Sequence, residues 1–287
     1  MENENNQCKK FEDYIGPIVE RWDRLSAHDG NIDENTVFAT GLIDLDRMGA
    51  APHPGDVVVF GGIVGSGRTT LLIEILAYQI EKNPKGRVAY LEGGHDLYNV
   101  AESITRRYIH LDVNKIRTGQ ITDKDFEKIW PLADKLSQTD VYFSNIEDLD
   151  FDQVCDRVLE LIKAHNLEMV FIDGCDFATE DNVIQLRKIA KENNVAIVVT
   201  CDISDRIYTE NRLPVLSDFE GNKGLVKIAD VVWILHRLSY YFSEEDAQPN
   251  VCELLVPKNR HGQIGVQHLL WDREKQIFRD MSKRIGK

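Results

Sequence analysis

Short apolar runs alternate with amphipathic stretches from about residue 37 onward. Val57–Phe60, Val88–Leu91, Val141–Phe143, Met169–Ile172, Ala196–Thr200 and Val231–Leu235 are rich in Val and Ile and too short for helices, so they predict buried strands. Between them apolar residues recur at helical spacing and predict helices near 68–82, 95–109, 123–137, 150–165 and 181–193. Such alternation predicts an α/β fold with a mainly parallel sheet covered on both faces. After Arg237 the pattern changes. Val251–Pro257, Gly265–Trp271 and Gln276–Arg279 predict short antiparallel strands joined by turns such as Arg260-His261-Gly262. Residues 1–36 are polar except for one stripe at helical spacing, Ile18, Val19, Trp22 and Leu25, which Phe11, Tyr14 and Ile15 extend backward. Pro17 suits a first helical turn, so that helix is expected to start there. The expected division is a linker-like segment over 1–36 and one α/β domain over 37–287.

Charge and composition change the picture in two places. The formal net charge is −14, which argues against a broad nucleic-acid surface, since that needs a basic stripe. A small local DNA site stays open. No run of 18 apolar residues exists, so no membrane helix is expected. Five scattered cysteines (Cys8, Cys155, Cys175, Cys201, Cys252) without a C-x-x-C pair, and a polar start without the pattern of a signal peptide, predict free thiols and a cytoplasmic location.

The candidate chemistry centres on residues 62–69, Gly-Ile-Val-Gly-Ser-Gly-Arg-Thr. They fit the phosphate-loop pattern G-x-x-x-x-G-K-[ST] except that Arg68 replaces lysine. A predicted strand precedes the loop and a predicted helix follows it. In that setting the backbone N–H groups of Gly65 to Thr69 cradle phosphate and the helix N-terminus adds its dipole. The expected ATP-binding set is Gly62, Gly65, Ser66, Gly67, Arg68, Thr69 and Thr70, with the Thr69 hydroxyl on Mg²⁺. Arginine keeps the positive charge but presents a bulky planar fork, so binding can survive while alignment for hydrolysis suffers. Met169-Val-Phe-Ile-Asp173 ends an apolar strand in a carboxylate, the position from which an Asp holds Mg²⁺ through water; a strand-end Asp can equally cap the next turn. Val88-Ala-Tyr-Leu-Glu92 ends likewise, and Glu92 reads evenly as a general base or a solvated turn residue. Lys258-Asn-Arg260-His-Gly262 reads as a solvated hairpin tip or as an arginine finger for a neighbouring subunit.

Taken in order, these segments resemble the C-terminal ATPase domain of DnaB-type replicative helicases, a RecA-like family, over about residues 38–280. Thr40-Gly-Leu-Ile-Asp-Leu-Asp46 with Pro54-Gly-Asp56 is similar to the lead-in to that family's phosphate loop. The resemblance implies that Glu92 is the catalytic glutamate and Asp173 the Mg²⁺ aspartate, and that Lys258 and Arg260 act across a subunit interface. Pro214-Val-Leu-Ser-Asp218 and Ala229-Asp-Val-Val232, ending at His236-Arg237, match a late signature. Three departures stand out. Arg68 replaces lysine. Asp202 falls where the family has a γ-phosphate-sensing glutamine, and a carboxylate there repels phosphate, with unit charges at 4 Å worth about 4 kcal/mol at an effective dielectric near 20. The segment after Asp173 is short and acidic where such helicases carry a longer DNA-facing loop. The stripe before residue 37 resembles the linker helix that docks on an adjacent ATPase domain.

The resemblance implies a homo-oligomeric ring or filament that uses ATP and Mg²⁺ to move on single-stranded DNA in replication. The alternative is a degenerate nucleotide-holding scaffold or regulator, which Arg68, Asp202 and the acidic loop favour. Arg212 and Lys223 are loop candidates for DNA contact, and an ordinary solvated loop explains them as well.

Overall fold

A computed structural model describes residues 38–174, 180–219, 223–237 and 250–281, together with residues 10, 11, 15, 16, 18–20, 22 and 23. The sheet forms where the Val/Ile runs predict it. Its strands are β1 (Val57–Gly62), β2 (Val88–Glu92), β3 (Val141–Asn145), β4 (Met169–Asp173), β5 (Ala196–Asp202), β6 (Val231–His236), β7 (Val251–Asn259), β8 (Gly265–Asp272) and β9 (Ile277–Asp280). They lie in the order β3-β2-β4-β5-β1-β6-β7-β8-β9. The first six are mutually parallel, and β7, β8 and β9 extend the sheet antiparallel from β6.

Side chains alternate between the two faces of each strand, so one sheet feeds two cores. Val57, Val59, Leu91, Ile172 and Val199 face one core, under helices α6 (Phe151–His165) and α7 (Glu180–Asn193). Val58, Phe60, Tyr90, Phe171 and Trp233 face the other, under α2 (Arg68–Lys82) and α3 (Leu97–Ile109). Asp150 starts α6 with a capping box: its side chain accepts from the Gln153 N–H, and Gln153 reaches back to the Asp150 N–H. Thr122 and Asp125 do the same for α5 (Asp123–Ser137).

Short elements escaped the periodicity argument because they are only four to six residues long: α1 (Ile43–Arg47), α4 (Val113–Arg117), α8 (Arg206–Thr209) and α9 (Lys223–Ile228). The N-terminal expectation needs one correction. Helical conformation is already present at Ile15 and Gly16, ahead of the start expected at Pro17. Ile15, Val19 and Trp22 of the stripe are exposed, while Tyr14 and Leu25 lie outside the described residues. Cys155, Cys201 and Cys252 are buried free thiols. Among the described residues no helix is long and apolar enough to cross a membrane.

Candidate nucleotide site

Parallel register places the candidate residues at one end of the sheet. Glu92 is opposite Asp173 in the β2–β4 pair, and Gly62 is opposite Asp202 in the β1–β5 pair. Since β4 and β5 are neighbours, three acids and the phosphate loop share four adjacent strand ends. Brief loops at the carboxyl edge of a parallel sheet are where such folds bind ligands.

The loop runs from Gly62 to Arg68, the first residue of α2. Gly65 and Gly67 have φ of +78° and +105°, conformations that a residue with a Cβ adopts only with strain. The first N–H groups of α2, next to these turns, have no partner inside a helix. The Ser66 N–H bonds the Ile63 carbonyl at 3.0 Å. Arg237, at the end of β6, lies over Trp271 with its guanidinium carbon 4.7 Å from the ring centroid, and donates to the Ser66 carbonyl at 3.4 Å. Ser66 Oγ is buried without a hydrogen-bond partner.

Asp173 is the hub. Its Oδ2 accepts from the Thr69 hydroxyl at 2.6 Å and the Tyr90 hydroxyl at 2.8 Å, and its Oδ1 accepts from the Thr200 hydroxyl at 2.6 Å. Three donors fix the carboxylate in orientation. Sequence reasoning missed Tyr90 and Thr200. The available signal was position: Tyr90 stands two residues before Glu92 on the same face of β2, and Thr200 lies two before Asp202 on the strand beside β4.

Glu92 has no solvent exposure. Its Oε1 accepts from the Gly94 and His95 N–H groups at 2.9 and 3.0 Å and lies 3.2 Å from His95 Nδ1. Its Oε2 is buried without a partner. Burial first, and then the charge of Asp173, push this carboxyl above its ordinary value.

The two residues that depart from the usual pattern meet each other. Arg68 Nη2 donates to Asp202 Oδ1 in an ion pair. The guanidinium is thus engaged by the last residue of β5. The charge expected to repel phosphate is neutralised by the residue expected to bind it.

Lys258 and Arg260 lie elsewhere. Val232 pairs with Lys258 and Val231 with Asn259, at the amino end of β6, whereas Leu235 pairs with Gly62 at the other end. Arg260 is therefore level with the start of β1, roughly 17 Å along the strands from the phosphate loop. Lys258 Nζ donates to the carbonyls of Val226 and Lys227 at 3.0 and 2.8 Å, closing the C-terminus of α9. Arg260 Nη1 donates to Asp230 Oδ1 at 2.7 Å. Arg212, a DNA candidate, instead forks onto Asp218 at 2.8 and 2.6 Å. The side chain of Lys223 and the acidic segment at 175–179 lie outside the described residues.

The family model for the DnaB-like helicase C-terminal domain matches residues 38–280. The chain belongs to the DnaB-like helicase C-terminal domain family. Two solved structures share its fold. One, an ATPase domain, superposes with a TM-score of 0.81 at 18% identity, covering 96% of this chain and 100% of that one. A DnaB-like replicative helicase solved for its interactions with primase gives a TM-score of 0.79 at 18% identity, covering 96% of this chain and 68% of that one. The replicative DNA helicase DnaC of Bacillus subtilis (strain 168) is 22% identical over 294 residues, spanning 96% of this DnaB-like chain. The chain spans 63% of that relative's length.

Proposed function

We propose that this DnaB-like domain binds ATP with Mg²⁺ at Gly62–Thr70 and hydrolyses it in an assembly whose sites are completed by a neighbouring subunit. The observation that carries the reading is the Thr69–Asp173–Glu92 cluster at adjacent strand ends beside a two-glycine phosphate loop. The oxygen donors fit Mg²⁺: a hydroxyl and a fixed carboxylate within hydrogen-bond distance of each other, with no nitrogen or sulfur ligand between them. Thr69 and Asp173 would hold the ion. Bound there, Mg²⁺ supplies charge neutralisation for the terminal phosphates.

The chain's own residues do the rest. The first N–H groups of α2 orient the phosphates. Glu92 takes the proton of the attacking water at Oε2, the oxygen without a partner, and its raised pKa makes it a stronger base than a solvated glutamate. Glu92 has no solvent exposure here, so the attacking water must gain access to it. Lys258 and Arg260 of one subunit are too far from their own phosphate loop to act on it. Their place at the opposite sheet end supports action on the next subunit's γ-phosphate, where an added arginine stabilises charge in the transition state. Single-stranded DNA is the polymer such an assembly would move along.

A second reading has one specific observation behind it. The Arg68–Asp202 pair favours a subunit that holds nucleotide and assembles but turns over slowly. ATP turnover with and without single-stranded DNA, measured beside the mass of the assembly, separates the two. DNA-stimulated turnover by an oligomer supports the motor. An oligomer that binds ATP and gives no turnover under either condition supports the scaffold, and failure to bind ATP or ADP at millimolar concentration defeats both.

A further inference from the structure

The hairpin tip that carries Lys258 and Arg260 also carries His261, and His261 does not face solvent alone. Its Nε2 lies 2.7 Å from Asp56 Oδ2. His53 Nδ1 lies 3.4 Å from the same oxygen. The two imidazole rings overlap with centroids 4.0 Å apart and planes 39° from each other. His53 Nδ1 is buried and makes no hydrogen bond, which in a native interior calls for an explanation. One donor atom from each of the three residues lies within 4.8 Å of the other two.

The backbone builds this arrangement. His53-Pro54-Gly55-Asp56 is a tight turn: the Asp56 N–H bonds the His53 carbonyl at 3.0 Å, and the His53 N–H returns to Asp56 Oδ2 at 2.9 Å. Gly55 supplies the positive φ of +86° that such a turn needs after proline. The hairpin is held against the preceding loop independently, by Asn259 Nδ2 and the Gln263 N–H, each donating to the Met48 carbonyl at 2.9 Å. The three side chains therefore converge from two segments that other bonds already fix.

We propose that His53, Asp56 and His261 form a binding site for a divalent transition metal of the zinc class, distinct from the Mg²⁺ expected at the phosphate loop. Two imidazoles and one carboxylate suit zinc, cobalt or nickel, whereas magnesium prefers oxygen donors throughout. At bond lengths of about 2.0–2.1 Å, ligands on a tetrahedral ion stand about 3.4 Å apart, so the present spacing needs only small side-chain shifts. Water completes the fourth position, because His261 is exposed on one side while Asp56 is buried. A bound ion would pin the Lys258/Arg260 hairpin to the loop that leads into β1. Any effect on turnover in a neighbouring site rests on the function proposed above; metal binding does not.

The test uses the full chain, stripped with a chelator and returned to excess Mg²⁺ so that oxygen sites are filled. Co²⁺ is added first and followed by visible absorption, then Zn²⁺ by calorimetry and thermal unfolding. The expected result is one site per chain, a four-coordinate Co²⁺ band without the near-ultraviolet absorption of thiolate ligation, and an unfolding temperature that rises with Zn²⁺. His261→Asn and His53→Gln should each weaken binding by at least about tenfold, the scale on which even outer-shell changes act. His261→Asn alters an exposed residue, so it and the wild-type spectrum decide the matter if His53→Gln does not fold. Absence of the band, thiolate absorption in its place, or Zn²⁺ affinity unchanged in His261→Asn would overturn the proposal.

Discussion

At the scale of single residues, the pairing of Arg68 with Asp202 occupies the guanidinium that the sequence motif assigns to phosphate. A phosphate bound at the loop would have to compete with Asp202 for the guanidinium. Asp202→Asn would release the guanidinium, so nucleotide affinity measured by calorimetry should rise about tenfold; the Asp202 side chain is well exposed, and solvent screening keeps the gain below the unscreened Coulomb figure. Unchanged or weaker affinity would mean that Asp202 does not oppose binding. Glu92 offers a second residue-scale prediction. Its carboxyl is pushed above the ordinary 4.5, so its basic form is lost as pH falls through a higher value than for a solvated glutamate. The acid limb of kcat/KM should sit above pH 4.5 accordingly. The linkage sign is opposite for stability: a raised folded-state pKa means that ionised Glu92 disfavours folding once pH exceeds the unfolded value. Glu92→Gln should therefore abolish turnover, retain ATP binding and raise the unfolding temperature at about pH 7. A thermal melt lower than wild type would contradict this.

Whole elements are where sequence pattern and structure agree best, and the reasons are local. The Val/Ile runs of the central strands became strands because each is buried on both faces. Helices 68–82 and 123–137 begin and end where expected, the second because Thr122 and Asp125 form a reciprocal cap. Removing the equivalent cap on α6 with Asp150→Ala should cost about 1 kcal/mol in urea denaturation without altering nucleotide affinity. The site was legible to the extent that it rests on strand ends: Glu92 and Asp173 end apolar runs, and a parallel sheet brings such ends together. What could not be read were contacts set by register and side-chain direction between strands distant in sequence. Tyr90 and Thr200 on Asp173 are of this kind, as are Arg237 on the phosphate loop and the fork from Arg212 to Asp218. The meeting of Arg68 with Asp202 belongs here too. Each is a departure visible in the sequence, but only the β1–β5 register makes them neighbours.

The molecule as a whole places its phosphate loop at one end of the sheet and its Lys258/Arg260 hairpin at the other. If sites form between subunits, defects on opposite sides of the interface should complement. Glu92→Gln and Arg260→Ala chains should each be inactive alone, yet regain turnover when mixed and allowed to exchange, since an interface between an intact Glu92 and an intact Arg260 then exists. Mixtures that stay inactive despite demonstrated exchange would show that the hairpin does not serve a neighbour. Both cations are meanwhile occupied within their own chain, Lys258 by the α9 carbonyls and Arg260 by Asp230. If they serve a neighbour, the interface must offer these groups better partners than those they leave.

That separation across the sheet has a kinetic consequence. An enzyme whose opposing halves are supplied by different copies has a specific activity that depends on crowding of its own kind. Serial dilution should make output per milligram fall, rather than stay constant, in step with loss of the large species by light scattering. Constant output per milligram down to concentrations at which only monomer scatters would mean that one copy suffices.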